Sequence, residues 1–355
     1  MLKPIRRLIG AGTFLALTAL LIAAAKYANA VVFAFYPHYS RIALGFLADL
    51  TAPLPFAVWE IGAALLLLWF FVSLFLAILR GKLVRWLTGL VLLLSIAAFV
   101  FVGLWGLNYF APSMQERMNL PEKQFTAQEL REATEYFRDK ANATASGVER
   151  DENGVMCAGD FEELSLAAGD GYKVLAERYS CFDGSTARVK PLLTSKLMGA
   201  AGTTGVFVAF TGESGVSSTT FAASVPETMC HEIAHRMAFA REDEANFAAF
   251  LACMENGRAD FLYSGYYSAF IYCYNALYAV DANAAAEVMA GASAELAADL
   301  RAASRHYDEV EDKTAVEVHE AVYDTYLKSF SVESGVQSYG DAVDLLTTWY
   351  FERLK

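Results

Sequence analysis

The chain is short of charge, of cysteine and of histidine. Charged residues make up 19% of its 355 residues, with 28 basic and 40 acidic side chains and a net charge of −12. A nucleic-acid partner is not expected, because no basic surface is available to neutralise phosphates. The five cysteines form no C-x-x-C pattern, which argues against a thiol-based zinc or redox centre.

Apolar residues are in excess, at 55% of the chain, and they crowd into residues 8–111. Three apolar runs are long enough to cross a bilayer and are predicted to be membrane-spanning helices: residues 8–27, 55–79 and 87–110. The first run could also be a secretory signal peptide, since Ala28-Asn29-Ala30 resembles a cleavage site, but its length favours a retained helix.

Basic residues set the predicted orientation of these spans. They lie at the N-terminus and in the short loop 80–85 between the second and third spans. Basic loops stay in the cytoplasm, so the third span should deliver residues 112–355 to the extracytoplasmic side. We therefore predict a multi-pass protein of the cell membrane, with the lipid bilayer as a partner. Glu60, near the outer end of the second span, is expected at the interface rather than in a functional role.

Residues 112–355 are predicted to form a mainly α-helical (α+β) domain with a small β-sheet. Strands are predicted at 205–210 and 220–223, with an exposed turn carboxylate, Glu213, between them. An exposed edge strand before an active-site helix can hold an extended peptide by backbone pairing. Helices are predicted over residues 126–143, 161–179, 245–254, 260–280, 282–305 and 309–328, and at the C-terminus.

Cys157 and Cys181 both lie in polar, loop-like sequence. They could form a disulfide outside the cytoplasm or remain two free thiols, and the sequence leaves both alternatives open. Cys230 is expected to be buried packing, because its side chain points away from that of its neighbour His231.

The motif that carries chemistry is His231-Glu232-Ile233-Ala234-His235, an H-E-x-x-H sequence. Residues four apart on a helix share one face, so both imidazoles can bind one ion. Two neutral imidazoles suit Zn²⁺, and Glu232 can act as general base on a metal-bound water. With five histidines in the chain, a chance match is expected in fewer than about one such sequence in a hundred.

The sequence around the motif favours a helix. Ser224 and Glu227 have capping-box spacing, and Pro226 fits the first turn. The structural alternative is that His231 and His235 are ordinary buried histidines, which the agreement of these signals disfavours.

A catalytic zinc site usually takes three protein ligands and a water. Position 241 is Arg rather than His, so the third ligand should be a carboxylate, with Glu242, Glu244 and Glu255 as candidates. Glu242 forms an E-x-x-x-N pair with Asn246, whose amide could steady a ligating histidine. Glu244 lies on a different helix face. Glu255 has nearly the spacing of thermolysin-like enzymes, but it precedes Asn-Gly at a helix end.

Glu242 can join the site only if the helix breaks first. Seven residues of unbroken helix separate His235 from Glu242 by about 10 Å, which is too far for ligands of one ion. We therefore predict a break near residues 237–240, although no glycine or proline marks it.

The two motifs together resemble those of the gluzincin metallopeptidases. The sequence Glu-Asp-Glu-Ala-Asn at 242–246 is similar to the E-x-E-A-N motif of the phage-repressor-cleaving metallopeptidases. It is also similar to the E-x-x-A-D motif of the membrane prenyl-protein and heat-shock proteases. The first glutamate is the ligand in both groups, and the resemblance maps that role onto Glu242.

A closer resemblance covers nearly the whole chain. The three spans, Gly-Leu-Asn-Tyr at 106–109, Phe-Thr-Gly-Glu at 210–213 and Gln-Ser-Tyr-Gly at 337–340 are similar to DUF3810, a bacterial membrane family of unknown function. The resemblance implies a zincin-like fold and a zinc-dependent membrane protease, and it supplies no substrate. Ala238 departs from the pattern, because a helix-ending glycine is expected there.

We therefore expect a membrane-anchored zinc metallopeptidase that acts on a peptide or protein substrate. The alternative is a non-catalytic zinc- or peptide-binding membrane module, and a purely structural membrane protein is a third possibility. Oxyanion stabilisation in such sites often falls to a tyrosine or histidine, and Tyr323, Tyr339 and His319 are the candidates. The sequence does not indicate an oligomeric state.

Overall fold

The computed structural model describes residues 2–123, 125–330 and 339–354. Its first helices are α1 (Leu2–Tyr27), α2 (Asn29–Phe33), α3 (Tyr36–Thr51), α4 (Val58–Leu79) and α5 (Leu83–Leu104). Of these, α1 from Lys3 onward, α4 and α5 are long and apolar enough to cross a membrane, which confirms the three predicted apolar helices. The third ends earlier than predicted, because Trp105 leaves helical geometry and Gly106–Phe110 forms a 3-10 helix.

Helices α1 and α5 run side by side in the same direction. The Arg7 guanidinium donates to the Arg85 carbonyl at 2.5 Å, and further along the pair the rings of Phe14 and Phe99 lie 5.6 Å apart. The N-terminal basic residues and the basic loop between α4 and α5 therefore meet at one end of the bundle.

The rest of the described chain is mainly helical. Its helices are α6 (Met114–Met118), α7 (Ala127–Ala145), α8 (Phe161–Ala167), α9 (Asp170–Ala176), α10 (Ser195–Ala200), α11 (Val225–Arg236), α12 (Glu242–Glu255), α13 (Ala259–Val280), α14 (Ala282–Met289), α15 (Ala294–Val310), α16 (Lys313–Ser329) and α17 (Tyr339–Leu354). The predicted helices 161–179 and 282–305 are each divided in two. Helix α17 begins at Tyr339, and most of the predicted loop before it lies outside the described residues.

Three short strands form one sheet beside α11. They are β1 (Lys190–Pro191), β2 (Gly205–Val208) and β3 (Glu213–Val216), in the order β1-β3-β2. Strand β2 pairs antiparallel with β3 and lies at the edge, whereas β1 pairs parallel with β3.

The predicted strand at 205–210 is confirmed as β2, and the one at 220–223 is wrong. The chain turns back earlier, at Gly212, whose φ of +66° favours glycine. A β-carbon there would also lie 2.3 Å from the Leu44 carbonyl oxygen. Strand β3 therefore begins at Glu213, and Ala222–Ser224 is a 3-10 helix.

Helix α12 is the centre of the core. Alanines at 245, 248, 249 and 252 are fully buried, so neighbouring helices can approach it on several sides. Helices α9, α11, α13 and α17 all contact it. The approach of α9 depends on Gly171, where a β-carbon would lie 1.9 Å from the Ala252 carbonyl oxygen.

Glu213 joins the sheet to the second span. Its carboxylate accepts hydrogen bonds at 2.9 Å from the amides of Val58 and Trp59, at the N-terminus of α4, and one at 2.6 Å from Lys190. Burial alone would raise the pKa of Glu213, but these hydrogen bonds outweigh it and lower the pKa. The prediction of an exposed turn carboxylate is wrong, because the unpaired helix amides attract this anion.

Glu60 makes the reciprocal contact. From the first turn of α4 it accepts hydrogen bonds at 2.8 Å from the amides of Leu193 and Thr194, just before α10. The domain thus supplies Glu213 to the start of α4, and α4 supplies Glu60 to the start of α10. We call these two contacts the joint between span and domain. Glu60 therefore belongs to the joint between span and domain.

The cysteines are free thiols in the described chain, including Cys157 and Cys181. Of the two alternatives left open for that pair, the structure has the unpaired one. Cys230 is fully buried, as predicted, with its sulfur 3.8 Å from that of Cys253.

Candidate metal centre

Helix α11 carries the H-E-x-x-H sequence, but it begins differently from the prediction. Ser224 has helical dihedral angles and makes no side-chain cap, because a 3-10 helix leads directly into α11. The capping-box prediction is therefore wrong, whereas Pro226 does lie in the first turn. The amide of Glu227 is satisfied instead by the Ser264 hydroxyl, at 3.0 Å.

Helix α11 ends in a Schellman motif built on an alanine. Ala238 has φ +70°, its amide donates to the His235 carbonyl, and the amide of Phe239 donates to the Ala234 carbonyl. The predicted break between the motifs is thus confirmed, with Ala238 taking the left-handed conformation that usually goes to glycine.

This turn brings Glu242 back onto the two histidines. Its Oε2 lies 3.2 Å from His231 Nε2, and its Oε1 lies 3.7 Å from His235 Nε2. The three candidate ligand atoms lie within 4.8 Å of one another. The arrangement could hold a metal ion on two imidazoles and one carboxylate.

The second histidine is oriented by the same turn. His235 Nδ1 lies 2.8 Å from the Phe239 carbonyl, which can only accept a hydrogen bond. Nδ1 therefore carries the proton, and the lone pair of Nε2 faces Glu242. Trp105, just beyond α5, donates its indole N–H to the His235 carbonyl at 3.1 Å.

Glu242 is held from the other side by α16. The Tyr323 hydroxyl donates a hydrogen bond to Glu242 Oε1. Burial would raise the pKa of Glu242, but the charge and hydrogen bond of His231 and the hydrogen bond from Tyr323 outweigh it and hold that pKa well below its usual range. The carboxylate is therefore charged and ready to bind a cation. Tyr323, predicted as an oxyanion candidate, lies against the ligand set.

The two imidazoles differ in charge. Burial tends to lower the pKa of His231, but the hydrogen bond and charge of Glu242 outweigh it and raise that pKa to about 9. Burial lowers the pKa of His235 to about 4, which keeps this ring neutral. The proton on His231 thus supplies the positive charge beside Glu242 that a bound cation would otherwise supply.

Glu232 lies beside the ligands with one oxygen unpaired. The residue is buried, and its Oε2 has no hydrogen-bond partner. Burial raises the pKa of Glu232 to about 8. The carboxylate fits under the edge strand only because residue 205 is glycine, where a β-carbon would lie 2.4 Å from Glu232 Oε1. A buried carboxylate with a free oxygen and a raised pKa is typical of a proton-transfer group.

The centre opens into a cavity of about 940 Å³. Its walls include the ligands, Glu232, residues 205–207 of β2, and residues of α13 and α16. The edge strand therefore faces the same space as the candidate metal centre, and its pairing with a peptide stays a prediction. His319 lines the cavity and lies 3.3 Å from the Thr203 hydroxyl through its Nε2.

The other two carboxylate candidates lie elsewhere. Glu244 accepts hydrogen bonds from Arg117, Arg241 and the Met114 amide, so its charge is already matched. Glu255 pairs with Arg178 at the far end of α12, roughly 20 Å along the helix from Glu242.

The remaining candidates are placed less completely. Asn246 lines the cavity with its Oδ1 3.4 Å from the Tyr272 hydroxyl and its Nδ2 unpaired, so a role in steadying a histidine stays a prediction. The side chain of Tyr339 is outside the described residues.

Three site residues were missed in the sequence. Gly205 accommodates Glu232, Trp105 binds the end of α11, and Glu227 is a buried cavity carboxylate near Tyr272. The position of Glu227 four residues before His231 could have indicated that it shares the metal-facing side of the helix. No local signal marks the other two.

The fold and site describe a mainly helical protein with three candidate spans and one metal-ligand cluster among its described residues. A family model described as Protein of unknown function (DUF3810) matches residues 35–347. The match covers most of the chain, so the chain belongs to this family. No curated protein and no solved structure matches it.

Proposed function

We propose that this protein is a membrane-anchored zinc metallopeptidase that hydrolyses peptide bonds. The observation that carries the proposal is the convergence of His231, His235 and Glu242 beside the unpaired oxygen of Glu232. We further propose that residues 112–355 form a zincin-like domain outside the cytoplasm. The meeting of the two basic segments at one end of the bundle supports that orientation.

The ligand set fits zinc in type and spacing. Tetrahedral zinc with ligands at about 2.0–2.1 Å places neighbouring ligand atoms about 3.3 Å apart. Here each imidazole has a Glu242 oxygen at 3.2 or 3.7 Å, and one ligand atom from each residue lies within 4.8 Å of the others, so a small contraction of the set would suit zinc. Three protein ligands leave a fourth position for water, which is the pattern of a catalytic site.

Bound zinc would lower the pKa of a water molecule and polarise the scissile carbonyl. The residues of the chain supply the rest. Glu232 accepts a proton from the attacking water and passes it to the nitrogen of the leaving peptide. The bond between the carbonyl carbon and the nitrogen breaks, the second proton of the water also passes to the nitrogen, the products are a carboxylate and an ammonium group, and Glu232 returns to its starting state.

The cavity supports a peptide as substrate. Strand β2 is an edge strand and lines the cavity, so an extended peptide could pair with its backbone. His319 is the side chain of α16 that we propose to stabilise the oxyanion, with Tyr323 held by Glu242.

The test compares wild type with Glu232→Gln in the purified full chain. We expect one zinc per chain in both proteins, and a loss of peptide cleavage of about 10³-fold or more in the variant. Glu255→Gln is the matched control, since this glutamate lies outside the site, and it should retain activity.

Three results would contradict parts of the proposal. Cleavage that survives Glu232→Gln would reject the mechanism. Zinc retention and peptide binding without any cleavage by wild type would favour the non-catalytic binding module. If wild type contains no zinc and His231→Ala changes nothing, the metal site itself would be rejected.

A further inference from the structure

The end of the third span forms part of the cavity wall. Phe101, in the last turn of α5, lines the cavity together with Trp105 and Tyr109 just beyond it. The rings of Trp105 and His235 have centroids 6.1 Å apart. A candidate metal ligand thus lies one side chain away from the end of a span.

The length of α5 places this end at the membrane boundary. The helix has 22 residues. At 1.5 Å per residue it extends about 33 Å, close to the roughly 30 Å thickness of the hydrocarbon core. If the whole helix is embedded, Leu104 lies at the surface of that core and the metal centre lies just above it.

Exposed apolar side chains continue this boundary around the cavity. Leu193 and Leu197 are 69% and 71% exposed, and Phe210 is 48% exposed. We call these three residues the rim surface. Leu193 is attached by its amide to Glu60 in the first turn of α4, and the ring of Phe210 lies 6.1 Å from that of Phe101. The rim surface is therefore continuous with two spans, and a bilayer would cover it.

Helix α10 belongs to both environments. Leu197 points outward on the rim surface, while the next residue, Met198, lines the cavity. The wall between the cavity and the bilayer is thus one short helix thick at this place. A chain that emerges from the membrane here is already beside the cavity.

We infer that the substrates are membrane-anchored polypeptides, cut within the first residues after their anchor. This inference rests on the proposed peptidase function and names its substrate class. The ring of Trp105, the residue after α5, lies 6.1 Å from that of His235, so about three to five residues of extended chain, which reach roughly 10–17 Å, bridge the distance. Confinement to the same membrane would also raise the effective concentration of such a substrate.

The test uses the full chain in vesicles of phosphatidylethanolamine and phosphatidylglycerol. One reporter library carries a randomised twelve-residue segment (about 40 Å when extended) directly after a transmembrane helix. A second library carries the same segment as free peptides. Sequencing of the products gives the cut position, and their amounts give the rates.

We expect cuts within about five residues of the anchor, and cleavage of the anchored library at least about tenfold faster than that of the free one. Equal rates, or cuts spread evenly along the segment, would overturn the inference while leaving the peptidase function intact. No cleavage of either library above the Glu232→Gln background would reject the peptidase function and this inference together.

A variant of the rim surface sharpens the test. Leu193→Ser combined with Leu197→Ser should lower the ratio of anchored to free rates about tenfold, because the rim loses its contact with the bilayer. Val280→Ser is the matched control, since this exposed residue ends α13, whose main contacts are with other extramembrane elements. An unchanged ratio in the double variant would count against a role of the rim surface in presenting the substrate.

Discussion

Glu242 and Glu244 lie two residues apart in the first turn of α12, and both are buried. Glu242 faces two imidazoles and a tyrosine hydroxyl, whereas Glu244 faces the guanidiniums of Arg117 and Arg241. The difference lies in what the partners can give up. An imidazole can lose its proton and offer a lone pair to a metal, and a guanidinium cannot.

Burial of a carboxylate does not by itself identify a metal ligand. The Glu244 carboxylate already has its counter-charges and ties α12 to the segment that follows the third span. The Glu242 cluster has donors that converge on one point. We therefore expect substitutions at the two positions to fail in different ways.

Glu242→Gln should abolish metal binding and have the largest effect. The neutral amide is a poor zinc ligand, so we expect loss of bound zinc and a fall in kcat/KM of about 10⁴-fold or more, ~5 kcal/mol. Metal content and peptide cleavage of the purified chain are the measurements. Full zinc occupancy in the variant would show that another group is the third ligand.

Glu244→Gln should lower the stability of the fold and leave metal binding intact. Two guanidiniums would lose their buried counter-charge, so we expect the free energy of unfolding to fall by about 3–5 kcal/mol. Denaturant unfolding in detergent is the measurement, and the folded fraction should still bind one zinc per chain. Loss of zinc from chains that remain folded would place Glu244 in the metal site after all.

Gly205→Ala should separate proton transfer from metal binding. The added methyl would collide with Glu232 and displace its carboxylate, so we expect kcat/KM to fall about 10–100-fold, with zinc content unchanged. Gly103→Ala is the control, because a β-carbon there meets nothing within 4 Å. Equal activity in both variants would contradict the role of Gly205.

The stabilisation that Glu244 contributes should depend on pH. Burial would raise the pKa of Glu244, but Arg117 and Arg241 outweigh it and lower the pKa. Its stabilisation is therefore fully present above the unfolded pKa of about 4.3 and is lost as pH falls toward the lower folded pKa.

The difference in unfolding free energy between wild type and Glu244→Gln should stay constant from about pH 7 to 5. It should then shrink by up to about 1.4 kcal/mol per pH unit below about pH 4. Denaturant titrations over this range measure it. A difference that grows in acid would mean that the carboxyl is protonated in the native protein.

Ala238→Gly should have the smallest effect and act on the turn that separates the clusters. Glycine adopts φ +70° without the penalty that alanine bears, so we expect stabilisation of about 0.5 kcal/mol. Ala249→Gly, in the interior of α12, should instead destabilise by about 1 kcal/mol. Stabilisation by both substitutions would point to a general effect of glycine rather than to this turn.

The sequence predicted what depends on local spacing. The three spans follow from the length of their apolar runs, and the helix with His231 and His235 follows from the spacing of its motif and from Pro226. The break before Glu242 has no local marker, and its prediction came from the geometry that one metal ion imposes on its ligands.

The predictions that were wrong concern residues whose structure depends on partners far away in the sequence. Glu213 looked like an exposed turn residue because its partners in α4 lie more than 150 positions earlier in the chain. The segment 220–223 has strand-like residues, but strand formation depends on a partner, and β3 takes the place beside β2. The depth of Glu232 likewise depends on a glycine in another element.

The reciprocal carboxylates Glu60 and Glu213 have a consequence for biogenesis. Until the second span and the sheet meet, the amides at the starts of α4 and α10 lack their acceptors. The carboxylates of Glu213 and Glu60 likewise lack these donors. Insertion into the membrane and folding of the domain should therefore be completed together rather than in sequence. A domain excised from its spans would expose the Lys190–Glu213 pair that faces the start of α4 in the whole protein.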